Sequence, residues 1–147
     1  MSHVRTQIRE AMKEALEAEL GDGYVIYASR KFAKNLEALA LIDMRFAGAT
    51  VEQSTMGDVR EHTASLMIRC QRGAPEETID DLLDADELAI NYIIENQDWD
   101  DLLMEQPVLT QVTWTDDAST GTVIGSIVLR YDVQYRVTTT DLETARD

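Results

Sequence analysis

Five carboxylates within eight residues are the densest group of side chains in the sequence that could do chemistry. They are Asp80, Asp81, Asp84, Asp86 and Glu87. Closely spaced carboxylates are ligands that calcium and magnesium prefer. The calcium-loop pattern is incomplete, because Leu88 occupies the place of a third oxygen ligand and the glycine that should follow is missing. We therefore expect a solvated acidic helix face with no dedicated metal and no cofactor, while a loose dependence of assembly on divalent cations stays possible.

The other reactive side chains do not form a catalytic set. The only two histidines are His3, near the terminus, and His62, at the start of a predicted strand, so spacing supports no Ser-His or Cys-His pairing. Cys70 shares its strand parity with Leu66 and Ile68, which predicts a buried thiol. No glycine-rich phosphate loop occurs. We expect a protein that is not an enzyme.

The net charge is concentrated in one segment. Residues Gly73 to Leu129 hold 14 Asp and Glu and no Lys or Arg, out of a total net charge of −15. A field of this sign repels a phosphate backbone, so we expect no binding to nucleic acid. An acidic mimic of DNA is an alternative, although the balanced charge of Met1 to Arg72 argues against it. No apolar run approaches the length of a membrane span, and we expect no membrane partner.

Charged side chains on the first predicted helix separate into two stripes. The basic stripe is Arg5, Arg9 and Lys13, and the acidic stripe is Glu10, Glu14 and Glu17. Like charges one turn apart are mildly unfavourable, so their separation favours an external partner, while simple solvation of both stripes is an equal alternative. The acidic helix of a neighbouring copy would suit the basic stripe, and head-to-tail contacts of this kind close into rings. The candidate subunit-interface residues are Arg5, Arg9, Lys13, Glu76, Glu77, Asp80 and Asp84.

Hydrophobic spacing predicts two helices and four strands. In chain order they are a helix capped by Ser2 and ended by Gly21, strands Leu39–Ala47 and His62–Cys70, a helix over Pro75–Asn96, and strands Val108–Thr115 and Ile127–Val137. Tyr24–Ala28 is a possible further short strand, and Ser29–Glu37 is left undecided. The order α-β-β-α-β-β predicts one α+β domain over residues 1–137, in which a mostly antiparallel sheet carries both helices on one face. Residues 138–147 are expected to form a flexible tail.

The polar segment Gly48–Glu61 is predicted to be a loop longer than most connections in a compact domain. Loops of this length are often functional. The candidate contact residues within it are Val51, Met56, Asp58 and Arg60.

Several segments, taken in order, resemble a known family. They are Leu41–Gly48, the loop with Gly57 and Asp58, His62–Cys70, Pro75–Asn96, the double-Asp turn Asp116–Ala118, and the tyrosine-rich strand from Ile127 to Tyr135. Together with the first helix they resemble the tail terminator proteins of long non-contractile-tailed phages, the lambda-like minor tail protein U family. The resemblance covers about Ser2 to Val137.

This resemblance implies a structural virion protein that forms a hexameric ring on the completed tail tube. Such a ring stops tube polymerisation and provides the surface that joins the head. The implied partners are further copies of the chain, the major tail tube protein and a head-neck protein. The implied location is the tail end nearest the head, after assembly in the host cytoplasm. The predicted loop would contact the tube or the next subunit. A head-tail neck or completion protein of the same ring-forming class is the alternative.

Overall fold

The computed structural model describes residues 3–28, 40–53, 59–75, 77–99, 102–119 and 122–138. Its elements are helix α1 (Val4–Leu20), a 3-10 turn (Gly21–Gly23), β1 (Tyr24–Ile26), β2 (Ala40–Gln53), β3 (Val59–Ala74), helix α2 (Ile79–Asn96), β4 (Val108–Ser119) and β5 (Thr122–Thr138). The described part of the chain is therefore α+β, with two helices and a five-stranded mixed sheet, which confirms the α+β class, while the predicted order and antiparallel character match only in part.

The strands lie in the order β1-β2-β3-β5-β4. Strand β1 runs parallel to β2, and the other three pairings are antiparallel. The predicted element order matches in part: it lacks β1, which lies in the segment Tyr24–Ala28 that the sequence marked as a possible short strand. This strand has only three residues, Tyr24 to Ile26. A segment of that length carries no periodic signal, and its pairing with Ala40 to Ile42 is what makes it a strand.

Both helices cover the same face of the sheet, as predicted. On this face β5 contributes a row of fully buried side chains: Ile127, Leu129, Tyr131, Val133 and Tyr135. Helix α2 packs so closely that a Cβ on Gly125 would lie 2.7 Å from Leu83 Cδ1 and 2.9 Å from Ile79 Cγ1. Helix α1 places the guanidinium of Arg9 over the ring of Phe46 in β2. Burial of these apolar side chains is the main stabilising contribution to the fold.

Helix α1 agrees with its predicted span but not with its predicted cap. The side chain of His3 is the cap and accepts a hydrogen bond from the Arg5 amide at 3.0 Å. Ser2, the predicted cap, lies outside the described residues. At the other end the helix stops at Gly21, whose φ of 74° is a left-handed conformation that glycine adopts without a steric penalty.

Helix α2 begins later than predicted. Its first residue is Ile79, whereas the sequence placed Pro75 at the first helical position. Ala74 is still paired with Val123 in the sheet, so the chain needs a turn before the helix can start. The Pro75 carbonyl accepts hydrogen bonds from the amides of Thr78 and Ile79 in this turn. Glu77 lies there as well, and Glu76 is outside the described residues.

The long loop predicted between the two central strands was also wrong. Strand β2 continues to Gln53 and β3 begins at Val59, with Gly48 opposite Ser65 and Val51 opposite His62. From Ala47 to Glu52 the side chains on both faces of β2 are exposed. No apolar alternation therefore marks this half of the strand. Met56 and Asp58 lie outside the described residues.

Two further strand boundaries differ from the predictions, because pairing with a neighbouring strand extends β4 and β5 through polar residues. Asp116 to Ala118, read as a turn, lie in β4 opposite Gly125 to Val123. Thr138, assigned to the tail, is the last residue of β5 and pairs with Val59. Polar residues are compatible with a strand when a neighbouring strand pairs with their backbone. The rest of the predicted tail, residues 139–147, is outside the described residues.

Candidate assembly interface

The predicted basic stripe lies on the flank of α1 that faces β1 and β2. Arg9 and Lys13, with Thr6 and Glu10 of the same helix, line a groove of about 350 Å³ that also borders Ile26 and Tyr27. Two of the three predicted cations and one residue of the predicted acidic stripe therefore face one open groove at the β1–β2 end of the sheet.

Arg9 also has a structural role within the chain. Its Nη2 donates to Thr6 Oγ1 at 3.2 Å, and its guanidinium carbon lies 5.9 Å from the centre of the Phe46 ring. An arginine over an aromatic ring at this distance forms a cation–π contact. The Arg9 Nε is buried without a hydrogen-bond partner among the described residues. Arg9 is thus held in place at the groove.

Lys13 and Arg5 have surroundings different from those of Arg9: Lys13 lies beside an acid of its own helix, and Arg5 lies near His62 and Tyr135. Lys13 Nζ lies 3.7 Å from Glu17 Oε1, so the basic and acidic stripes meet within the helix and their separation is incomplete. Arg5 lies near His62 of β3 and Tyr135 of β5, which pair with each other. Burial lowers the pKa of the His62 imidazole there, and the charges of Arg5 and His3 lower it further. Burial raises the pKa of Tyr135, while Arg5 opposes that shift.

The acidic residues predicted for the interface are exposed on α2 or just before it. Asp80 and Asp84 are exposed on the helix, Glu77 is exposed in the preceding turn, and Glu76 lies outside the described residues. Among the described residues, no ion pair joins these acids to the cations of α1. The two predicted partner surfaces therefore do not meet within one chain.

Asp86 is an exception to the predicted solvated acidic face. Its side chain is only 1% exposed and points under α2 towards the sheet. It accepts two hydrogen bonds from Arg72, from Nε and Nη2, each at 2.7 Å. It also accepts from the Tyr24 hydroxyl at 2.5 Å and from the Cys70 thiol at 3.6 Å. This cluster of four side chains joins α2 to β1 and β3.

The electrostatics of this cluster favour a charged Asp86–Arg72 pair. Burial alone would lower the pKa of Arg72, but the hydrogen bond and charge of Asp86 raise it overall. Burial, followed by the influence of Asp86, raises the pKa of the Tyr24 hydroxyl and of the Cys70 thiol. A neutral tyrosine and thiol therefore surround a paired carboxylate. The cluster locks the helix to the sheet, because separating the pair would leave a buried charge without compensation.

Six large apolar side chains are exposed among the described residues, and they include Val108 of β4 and Ile124 of β5. Leu88 and Tyr92 lie one turn apart on the outward ridge of α2, with exposed fractions of 72% and 69%. Trp114 is 59% exposed on β4, and Val51 is 54% exposed on β2. Exposed apolar side chains near one another mark interaction surfaces more often than single ones do.

Trp114 belongs to a larger uncovered surface at the β4 end of the sheet. It lies opposite Ile127, and Val112 lies opposite Leu129, so both point to the side that the helices cover. Nevertheless Trp114 is exposed and Val112 is half-buried. Strand β4 is the last strand of the sheet, so its outer edge has no partner strand in the described part of the chain. We call Val112, Trp114 and this edge the β4 shelf.

The neighbouring flank of α2 is acidic. Asn91 on this flank accepts a hydrogen bond from the Tyr131 hydroxyl at 2.9 Å, and Tyr131 lies opposite Leu109 of β4. Burial raises the pKa of Tyr131, and the charges of Glu95 and Glu87 raise it further. Glu87 and Glu95 lie one turn before and one turn after Asn91, so both acids are on the flank of α2 that faces Tyr131 of β5.

Of the four residues predicted for the contact loop, two lie in the described strands. Val51 is in β2, and Arg60, in β3, is half-buried and donates to the Val59 carbonyl at 3.4 Å. Next to Val51, the His62 ring lies 5.1 Å from the Tyr135 ring. The Tyr135 hydroxyl is buried without a hydrogen-bond partner among the described residues.

Comparison with known proteins leaves these surfaces without an assigned role. No protein-family model matches the chain, and no curated protein matches it. In the described ranges, no group of histidine, cysteine or acidic side chains could hold a metal ion. Neither α1 nor α2, the helices of the described part, is long and apolar enough to cross a membrane.

Proposed function

We propose that the chain is a structural virion protein that forms a ring on the completed phage tail tube. The ring stops polymerisation of the tube and provides the surface to which the head joins. The observation that carries this proposal is the difference between the two ends of the sheet. Arg9 and Lys13, with a single acid, Glu10, line a groove of net positive charge at one end, and Glu87 and Glu95 flank Asn91 on the side of α2 that contacts Tyr131, next to β4, at the other.

Such a charge arrangement favours head-to-tail contacts over symmetric ones. A two-fold contact between basic ends, or between acidic ends, would bring like charges together. A head-to-tail contact instead pairs a basic end with an acidic one, and every copy then offers the same pair of surfaces to its neighbours. Repetition of this contact closes into a ring when the rotation between copies allows it. The phage resemblance of the sequence favours six copies.

The acidic segment also suits a ring through which DNA passes. Helix α2 exposes Asp80, Asp81 and Asp84 as well as Glu95. A lumen lined with negative charge would keep a phosphate backbone from adhering to the protein. In this proposal the exposed half of the β2–β3 hairpin, with Val51, contacts the tube or the next subunit.

A tube-growth experiment tests the proposal and separates it from a role in the neck. The major tail protein of the phage that carries this chain is polymerised with and without the purified chain, and tube lengths are measured by electron microscopy. A terminator shortens the tubes and leaves a ring at one end of each. A neck protein binds finished tails without changing the length of growing tubes. Tubes of unchanged length without rings would contradict the terminator proposal.

A further inference from the structure

We propose that the only two histidines of this chain, His3 and His62, form a pH-sensitive pair that holds the first turn of α1 on the sheet, and that acid below about pH 6 releases this turn. His3 caps α1, and His62 of β3 is close enough to that end of the helix for the charges of His3 and Arg5 to act on it. Histidine is the side chain whose ordinary charge change falls between pH 5 and 8. The inference goes beyond the proposed function and does not depend on it.

His3 holds the end of the helix through a lone pair that protonation removes. Its Nδ1 accepts a hydrogen bond from the Arg5 amide at 3.0 Å. A backbone amide only donates, so Nδ1 must be unprotonated in this contact. A proton on Nδ1 breaks the cap and places a positive charge at the positive end of the helix dipole. Acid therefore weakens the first turn of α1 through His3.

His62 is packed where an added proton would have no acceptor. Its ring lies 5.1 Å from the Tyr135 ring, and its Nδ1 is buried without a hydrogen-bond partner among the described residues. The Tyr135 hydroxyl, which is buried at the same place, makes no hydrogen bond with it. In a protonated imidazole both ring nitrogens donate, so Nδ1–H would be a buried donor without an acceptor. Protonation therefore favours an arrangement in which water reaches His62.

The charged groups that face His62 are cations. They are His3, when protonated, and Arg5 from α1, and Arg60, which lies two residues away on the same side of β3. The residue opposite in β2 is Val51, which has no charge. The residue opposite in β5 is Tyr135, and burial raises its pKa, so its hydroxyl stays neutral. A charge on His62 is therefore repelled from the side of α1.

The direction of the pH effect follows from these surroundings. Burial, and then the charges of Arg5 and His3, lower the pKa of His62 from its ordinary 6.5. The folded chain therefore binds this proton less readily than the unfolded chain does. The contribution of neutral His62 to stability is complete above pH 6.5 and is lost as the pH falls below that value.

The release should be confined to the start of the helix. Val4 is the apolar side chain that the first turn buries, whereas Met12 and Leu16 bury the later turns in the core. Arg9, one turn after Arg5, is held over the Phe46 ring. Neither contact involves a histidine. Acid should therefore open the first turn while the rest of α1 stays on the sheet.

Amide hydrogen exchange measured by NMR tests this inference. The reporters are the amides of Thr6 and Gln7, which donate to the His3 carbonyl at 2.9 and 3.1 Å. After correction for the intrinsic effect of pH on exchange, we expect their opening constants to rise at least about 5-fold from pH 7.5 to pH 5.5, the factor by which loss of one helix cap shifts such an equilibrium. The amides in the middle of α2 are the internal reference and should not change.

Two substitutions remove the titrating groups while keeping their contacts. His3→Asn retains a capping side chain, and His62→Phe retains a ring against Tyr135. The double variant should have the same opening constants at both pH values. Glu10→Gln, which changes an exposed acid of α1, is the control and should respond to pH as wild type does. Thermal melting establishes folding, and His62→Gln replaces His62→Phe if the latter does not fold.

Three outcomes would overturn the inference. Wild-type opening constants that are the same at both pH values would show that the histidine pair does not hold the turn. A full pH response in the double variant would assign the effect to other groups. Equal opening of α2 would show that acid loosens the whole chain and not one turn. All three outcomes leave the proposed function as it stands, because none of them measures assembly or tail growth.

Discussion

Asp86 illustrates how one residue can differ from the acidic run in which it lies. Ile79, Leu83, Asp86 and Ile90 follow the spacing of one helix face, and all four are buried. Arg72 has the same strand parity as Cys70 and points to the same side of the sheet. A signal was therefore present in the sequence: an acid at a core position of a helix and a base at a core position of a strand. The net charge of the segment does not reveal this pair, because it counts Asp86 with the exposed acids around it.

We predict that removal of the Asp86 carboxylate destabilises the fold strongly. Asp86→Ala leaves the guanidinium of Arg72 without its bidentate partner under α2, which should lower the free energy of unfolding by about 3 kcal/mol. Urea denaturation measures the change. Asp84→Ala, an exposed acid of the same helix, is the control and should change it by less than about 0.5 kcal/mol. Equal effects of the two substitutions would contradict the structural role of the cluster.

The thiol of Cys70 should be unreactive in the folded protein. Burial and Asp86 raise its pKa above the ordinary 9.0, so the folded state keeps the proton to higher pH than the unfolded state does. This contribution to stability is complete below pH 9 and is lost as the pH rises through the raised folded value. The measurement compares urea denaturation at pH 7 and pH 10. Cys70→Ala should lose less stability over that interval than wild type, and an equal loss would refute the assignment.

At the scale of elements, the sequence was informative where apolar periodicity was strong. The buried faces of α1 and of β5 alternate or recur regularly, and the structure confirms both elements. The exposed half of β2 could not be recognised, because its extended conformation depends on pairing with β3 rather than on its own side chains. The β4 shelf could not be predicted from the sequence either. Trp114 is exposed because α2 does not extend over it, and this depends on how the helix packs on the sheet.

The basic flank of α1 combines two kinds of residue that substitution can separate. Arg5→Glu with Lys13→Glu should reduce assembly while changing the free energy of unfolding by less than about 1 kcal/mol in total, because both half-buried side chains keep access to solvent. Arg9→Glu should reduce assembly and also cost about 1 kcal/mol or more, because it removes the contact with Phe46. Thermal melting and sedimentation check both effects. Normal assembly of the Arg5 and Lys13 double variant would show that this flank is only solvated.

At the scale of the whole molecule, assembly must overcome a net charge of −15 on each copy. Magnesium should favour the ring, because divalent cations reduce repulsion between acidic subunits. Sodium chloride at 1 M should dissociate it, because a Debye length of about 3 Å weakens the contacts between cations and acids at the interface. Light scattering records both effects. An oligomer mass that is the same in all conditions would contradict an electrostatic interface.

The central claim is that this chain ends the growth of a phage tail, and tail length in the absence of the chain tests it most directly. In a phage from which the gene is deleted, electron microscopy should show overlong tails without heads. Wild-type protein supplied from a plasmid should restore tails of uniform length joined to heads. Tails of normal length in the deletion, with or without heads, would contradict the account.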